Sequence, residues 1–162
     1  MKSVLISIQP IWCELIASGK KTVEVRKTRP KIDTPFKCYI YCTKDKHGWF
    51  DFLKKERLDG KVIGEFVCDA IVADKTFGHD TLFKTSACMS DADIAAYCLN
   101  KEMYGWHISD IVIYDEPKEL SDSFSACNKP QGTDCSKCID AREVECKALK
   151  RPPQSWCYVE EI

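Results

Sequence analysis

Val4, Leu5, Ile6 and Ile8 make a short apolar run that stops at Gln9 and Pro10. Its length predicts a strand over residues 2–8. Residues 10–18 repeat apolar side chains at helical spacing, which predicts one short helix. Pro10 suits its first position, where no amide hydrogen bond is forfeited. Gly19 suits the position just past its end, because glycine takes the left-handed backbone there at little steric cost. The period then falls to two. Thr22, Glu24 and Arg26 point to one side of a strand, and Val23 and Val25 to the other. The valines suit a core. The opposite face carries a carboxylate and a guanidinium, with Lys21 at the strand's mouth, and is expected to front an accessible cleft.

Residues 36–43 alternate again, with Cys38, Ile40 and Cys42 facing away from Tyr39 and Tyr41. Trp49, Phe50 and Leu53 lie at helical spacing, so residues 47–57 predict a short helix or ordered loop. Asp59-Gly60 is a turn signal. The β-branched stretch 61–77 predicts one long, bent strand. Ser90, followed by Asp91 and Asp93, predicts an N-cap and a helix running to about Leu99. Further strands are predicted over 106–114 and 156–160. Six strands with short helical crossings give an α+β chain, a mixed β-barrel in one domain over residues 1–162.

The octet from Gly19 to Arg26 carries the chemistry. Lys21 offers a charged donor, or a base where burial lowers its pKa. Glu24 can orient Lys21, pair with Arg26 or move a proton. Arg26 can fork onto a phosphate or carboxylate. Gly19, Lys21, Glu24 and Arg26 match in register the Gly-x-Lys-x-x-Glu-x-Arg motif of the ASCH family, within the PUA-like β-barrel superfamily. The resemblance extends through 36–42, 60–70, the Tyr104-Gly105-Trp106-His107 run and the closing Pro-Pro-Gln-Ser-Trp at 152–156. It covers most of the chain except the cysteine-rich stretch after Ala126.

The resemblance implies a PUA-like barrel and a cleft that takes RNA or a modified nucleoside. It implies ligand contacts from Trp12, Lys21, Thr22, Glu24, Arg26, Trp106, Gln154 and Trp156. Aromatic faces among these suit base stacking. Glu65, on the long strand, is expected to bring a second carboxylate to the same cleft. Lys21, Glu24 and Glu65 are the candidate catalytic groups. One branch of the family comprises bacterial N4-acetylcytidine amidohydrolases, which share Lys21 and, by strand alignment, Glu65. They have a threonine where this chain has Glu24, and a carboxylate cannot supply the hydroxyl's proton or nucleophile. An amidohydrolase acting on acylated nucleosides is therefore the alternative to an RNA- or nucleoside-binding protein. Single-domain relatives of this kind are often bacterial or phage-encoded, which implies a cytoplasmic setting.

The 162 residues include 24 basic and 25 acidic ones, a net charge of -1. That balance argues against tight nonspecific duplex binding, which needs many uncompensated phosphate contacts. It leaves room for a local patch, since Lys20, Lys21, Arg26, Lys27, Arg29 and Lys31 lie close together. No stretch reaches the ~20 apolar residues of a membrane span, and the N-terminal run is too short and broken for a leader. No membrane partner is expected.

Eleven cysteines are then read as thiols in a reducing compartment. Four of them, Cys127, Cys135, Cys138 and Cys146, surround a central Cys-x-x-Cys knuckle within a segment poor in apolar residues. A knuckle with two flanking cysteines matches a tetrahedral zinc site with no open position, hence a structural one. Residues 126–148 are accordingly expected to be a Cys-rich insertion organised by Zn²⁺. As a protein-interaction surface, this insertion supports a third reading, an adaptor. The spacing predicts one zinc per chain by elemental analysis of reduced protein, with Zn–S distances of about 2.3 Å by absorption spectroscopy. Two disulfides among these thiols would overturn it.

Overall fold

A computed structural model describes residues 3–44, 58–74, 81–98, 102–125 and 149–161. The first strand, β1 (Ser3–Ile8), leads into α1 (Pro10–Ala17), with Pro10 at its start. Beyond the last helical residue, the amide of Gly19 bonds the Ile16 carbonyl and that of Lys20 bonds the Leu15 carbonyl, both at 2.9 Å. This is the Schellman pattern, and Gly19 holds the φ of +72° it requires. The reversal delivers the chain directly into β2 (Val23–Arg26).

β3 (Phe36–Cys42) pairs in parallel with β1, and β4 (Val62–Cys68) pairs antiparallel with β3. Next come β5 (Ile71–Asp74), α2 (Thr81–Ala87) and α3 (Asp91–Cys98). The Ser90 hydroxyl accepts from the Asp93 amide, and the Asp93 carboxylate accepts from the Ser90 amide. This reciprocal cap fixes the start of α3 where the sequence placed it. The chain continues through β6 (Met103–His107), β7 (Ser109–Lys118), α4 (Leu120–Ser123), β8 (Phe124–Ser125) and β9 (Trp156–Glu161).

These strands form two sheets rather than one closed barrel. The large sheet has the order β7-β4-β3-β1-β9-β8, and the small sheet the order β2-β6-β5. The predicted mixed barrel is corrected here, and the reason lies at two corners. The expected strand 61–77 breaks after Cys68, so β4 joins the large sheet and β5 the small one. At that break Asp69 meets the His107 ring at 2.6 Å, and the Ala70 carbonyl accepts from the His107 amide. The expected strand 106–114 breaks at Ile108, whose amide bonds the Thr22 carbonyl. It starts earlier than expected, at Met103, and continues as β7 in the other sheet. The helix or loop expected over 47–57 and the Cys-rich insertion at 126–148 lie outside the described residues. α2 has no counterpart in the sequence reading.

Three layers result. One face of the large sheet presents Val4, Ile6, Cys38, Ile40, Cys42 and Phe66 to Cys13 and Ile16 of α1 and to Trp106 of the small sheet. The other face carries Leu5, Tyr39, Tyr41, Val62 and Val159, packed with Leu120. On its outer side the small sheet buries Val25 and Met103 against Ala87 of α2 and Ile94 of α3. Both faces of β2 are therefore covered. The valines enter a core as expected, while Glu24 and Arg26 look inward at the large sheet.

Among the described residues, no helix is long and apolar enough to cross a membrane. Gly64, in β4, is a point of close approach: an added Cβ would run into the Val112 carbonyl of β7 and lie 3.1 Å from Ile113. Backbone leaves little room to give way. Gly64→Ala should lower stability by roughly 1–3 kcal/mol in urea unfolding, and an unchanged midpoint would show that β7 yields freely.

Candidate functional site

The ASCH-like motif places three charged side chains in one buried cluster. Relative exposure is 3% for Lys21, 5% for Glu24 and 9% for Arg26. One Glu24 oxygen, Oε1, takes the Arg26 guanidinium at 3.0 Å, and the other, Oε2, faces the Lys21 ammonium at 3.5 Å. Each cation also holds a main-chain carbonyl. Lys21 Nζ donates to Ala87 at 2.6 Å, and Arg26 donates to Ser7 at 2.6 Å. Lys21 further sits 5.0 Å from the centre of the Trp12 ring. Tyr97 of α3 lies beside the Arg26 guanidinium.

The geometry follows from strand register. Glu24 pairs with Trp106, and Arg26 with Tyr104. Directly paired residues share a face, so these four side chains lie on the inner side of the small sheet. Trp106 is fully buried there, edge-on to Phe36 and Trp156 at centroid distances of 5.9 and 5.8 Å. The expected open cleft is thus a largely closed, polar interior between the two sheets.

Not every polar atom in it is satisfied. Among the described residues, Arg26 Nε and Trp106 Nε1 are buried and have no hydrogen-bond partner, and Glu24 Oε2 is met only by the Lys21 ammonium of its ion pair. Buried groups of this kind carry a desolvation penalty, typically 1–3 kcal/mol each, and are uncommon in native interiors. The cluster also holds two cations against one carboxylate. It therefore holds two buried donors without a partner among the described residues and an excess of positive charge. Such donors can receive a carbonyl or anionic oxygen.

Burial pushes the Lys21 pKa down from its ordinary value, and the adjacent Glu24 carboxylate opposes that shift. The nearby thiols Cys13 and Cys38 are pushed well up, chiefly by burial. They stay neutral and act as packing, the role expected of most cysteines outside the 127–146 group.

The other predicted site residues divide. Trp12 and Trp156 are half-buried beside the cluster, and the Trp156 ring nitrogen donates to the Thr28 hydroxyl at 3.0 Å. Thr22 is exposed at the mouth of β2, and its amide bonds Ser86 of α2. Gln154 is exposed. Glu65 does not join the group. It pairs with Tyr39 across β3 and β4, on the opposite face of the large sheet, where it takes Lys37 at 2.8 Å and the Tyr114 hydroxyl at 2.5 Å. The strand alignment that brought it to the cleft fails because period-two alternation turns it the other way. Cys127, Cys135, Cys138 and Cys146 lie outside the described residues. The sequence reading missed Tyr97 and the carbonyls of Ser7 and Ala87. No motif marks a main-chain acceptor, and Tyr97 reaches the cluster only through the docking of α3.

No family model matches the chain, and no curated protein sequence matches it. Solved structures do. The ASCH protein from Zymomonas mobilis aligns at 23% identity with a TM-score of 0.62, over 98% of this chain and 87% of that one. Two single-substitution variants of the same protein align at 22% and 21% identity, each with a TM-score of 0.65. They cover 99% and 98% of this chain, and 91% and 88% of theirs. The chain thus has the ASCH-domain fold.

The depressed Lys21 pKa has a testable sign. A lysine whose folded pKa lies below its unfolded value binds fewer protons when folded. Stability should therefore rise with pH across the interval from that lowered value to the unfolded value of about 10.4. Lys21→Met should reduce this slope. Nitrogen NMR of the lysine ammonium groups should show Lys21 titrating below the surface lysines, and a titration indistinguishable from theirs would contradict the site's burial.

Proposed function

We propose that the protein binds RNA or a modified nucleoside at the Lys21, Glu24 and Arg26 cluster. One observation carries this reading: two buried donors without a hydrogen-bond partner among the described residues, Arg26 Nε and Trp106 Nε1, beside the Glu24 carboxylate in a single cluster. A nucleobase edge or an acylated amino group supplies both an oxygen for the donors and an N–H for the carboxylate. The half-buried rings of Trp12 and Trp156 offer flanking π-faces. The ASCH fold is consistent with such a ligand, and the near-neutral net charge favours recognition at one site over diffuse attraction to phosphates.

A hydrolytic reading has one specific support, the lowered pKa of Lys21, which brings its amine closer to a nucleophile or base. Two features weigh against an N4-acetylcytidine amidohydrolase. Glu24 stands where that chemistry needs a hydroxyl, and Glu65 lies across the sheet. Binding without efficient deacetylation is the expected behaviour.

Trp106→Phe gives a selective test, because it removes one unpartnered donor and keeps an aromatic ring. Modified nucleosides and short single-stranded RNAs should bind the wild-type protein, as read by native mass spectrometry. Trp106→Phe should weaken the best ligand roughly tenfold, the scale of one lost hydrogen bond. Its unfolding midpoint should fall little, since relief of the orphaned N–H offsets part of the lost packing. Equal affinity in the two proteins, or rapid turnover of N4-acetylcytidine, would overturn this assignment.

A further inference from the structure

A cavity lies beside the buried cluster on the same face of the small sheet. It has a volume of about 270 Å³ and is lined by Arg29, Ile71, Ala73, Glu102 and Tyr104. Tyr104 pairs with Arg26, and Trp106 pairs with both Glu24 and Ile71. Tyr104 is thus the next inward residue after Trp106 along β6, a step of about 6.6 Å. Ile71 and Ala73, opposite Trp106 and Tyr104, continue the same face onto β5. The cavity is thus lined by register neighbours of the buried cluster on β5 and β6.

Its lining has three complementary parts. The Tyr104 ring is half-buried, and its hydroxyl donates to Glu102 at 2.7 Å, which fixes the ring's orientation. Ile71 and Ala73 supply an apolar wall. Arg29 is exposed and lines the cavity together with Tyr104, and none of the ion pairs among the described residues involves it. A pocket of this size falls just below the range of sites for whole drug-sized ligands. It suits one planar heterocycle. The hydroxyl bond occupies Oε2 of Glu102 and leaves Oε1 to accept from a ligand N–H.

We propose that this cavity is a second nucleotide subsite, which takes the base adjoining the one held at Glu24, Arg26 and Trp106. The base lies on the Tyr104 ring, Glu102 accepts from an N–H on its edge, and Arg29 meets the linking phosphate. Guanine, with adjacent imino and amino donors, fits Glu102 best, and uracil fits worst. This inference rests on the function proposed above and narrows it: the ligand is an oligonucleotide rather than a free nucleoside.

The test compares ribonucleoside monophosphates with the full set of ribodinucleotides by isothermal titration on the full chain. The best dinucleotide should bind at least tenfold tighter than its parent monophosphate, with guanine preferred over uracil at the second position. Tyr104→Ala should remove that gain, a loss of roughly tenfold set by base–aromatic stacking, and leave the monophosphate affinity unchanged. Arg29→Ala, at an exposed position where folding is not at stake, should remove several-fold of the gain and reduce its salt dependence. Glu102→Gln should erase the preference for guanine. A monophosphate that binds as tightly as every dinucleotide overturns the subsite while leaving the Glu24 site intact. Loss of both affinities in Arg29→Ala overturns it as well. Failure of all nucleotides and short RNAs to bind overturns the function itself, and the subsite with it.

Discussion

The burial of Glu24 between two cations organises this molecule. Removing three charged groups from water costs several kcal/mol for each ion before any pairing is counted. The cost is offset only when geometry is good and remaining donors are used. Here Lys21 reaches α2 through the Ala87 carbonyl, and Arg26 reaches β1 through the Ser7 carbonyl. The same carboxylate therefore ties the small sheet to the large sheet on one side and to a covering helix on the other. A hydrophobic replacement could fill this space, but it would not specify which carbonyls the small sheet docks against. The charged residues act as register pins as well as a candidate site, and removal of Glu24 alone would leave two buried cations facing each other.

That dual role explains how much of the fold was legible. Local signals were strong where local chemistry decides. Pro10 and Gly19 bracket α1, Ser90 and Asp93 cap α3, and the Cys38-Ile40-Cys42 alternation puts those residues on one face of β3. The misses come from long-range choices. Residues 61–77 read as one β-rich run, yet the chain changes sheets at Asp69 and Ala70, because a side chain and a carbonyl there are claimed by His107. Nothing in the run's composition announces that partner. The break at Ile108 is similar, set by the distant Thr22 carbonyl. Closure into a barrel was the simplest arrangement for six continuous strands, and these two corners redirect them into two sheets.

The site itself was half legible. The motif grouped Lys21, Glu24 and Arg26 correctly and put them opposite the valines. It could not show that the second sheet closes over them, because exposure depends on how layers stack and not on alternation within one strand. Glu65 shows the converse. Its residue type suited a catalytic carboxylate, but alternation in β4 turns it toward Tyr39, Lys37 and Tyr114 on the far face. A ladder position is a stronger constraint than a residue type, since a one-residue difference in register reverses every side chain.

The unsatisfied atoms bring fold and function together. A cluster serving only to pin two sheets gains nothing from leaving Arg26 Nε and Trp106 Nε1 without a partner among the described residues, and a tryptophan with such an N–H is a poor choice for a core that already holds Phe36 in edge contact. Local rules of polar satisfaction tend to fail where a site requires it. The direction of the failure is informative. Two buried donors without a partner among the described residues and one surplus positive charge favour the oxygen-bearing, partly anionic ligand proposed above. A ligand of that kind would relieve the desolvation cost that folding leaves in place, so binding and stability should be tightly linked. The small sheet, held by the very residues that would contact the ligand, is where that linkage should be felt.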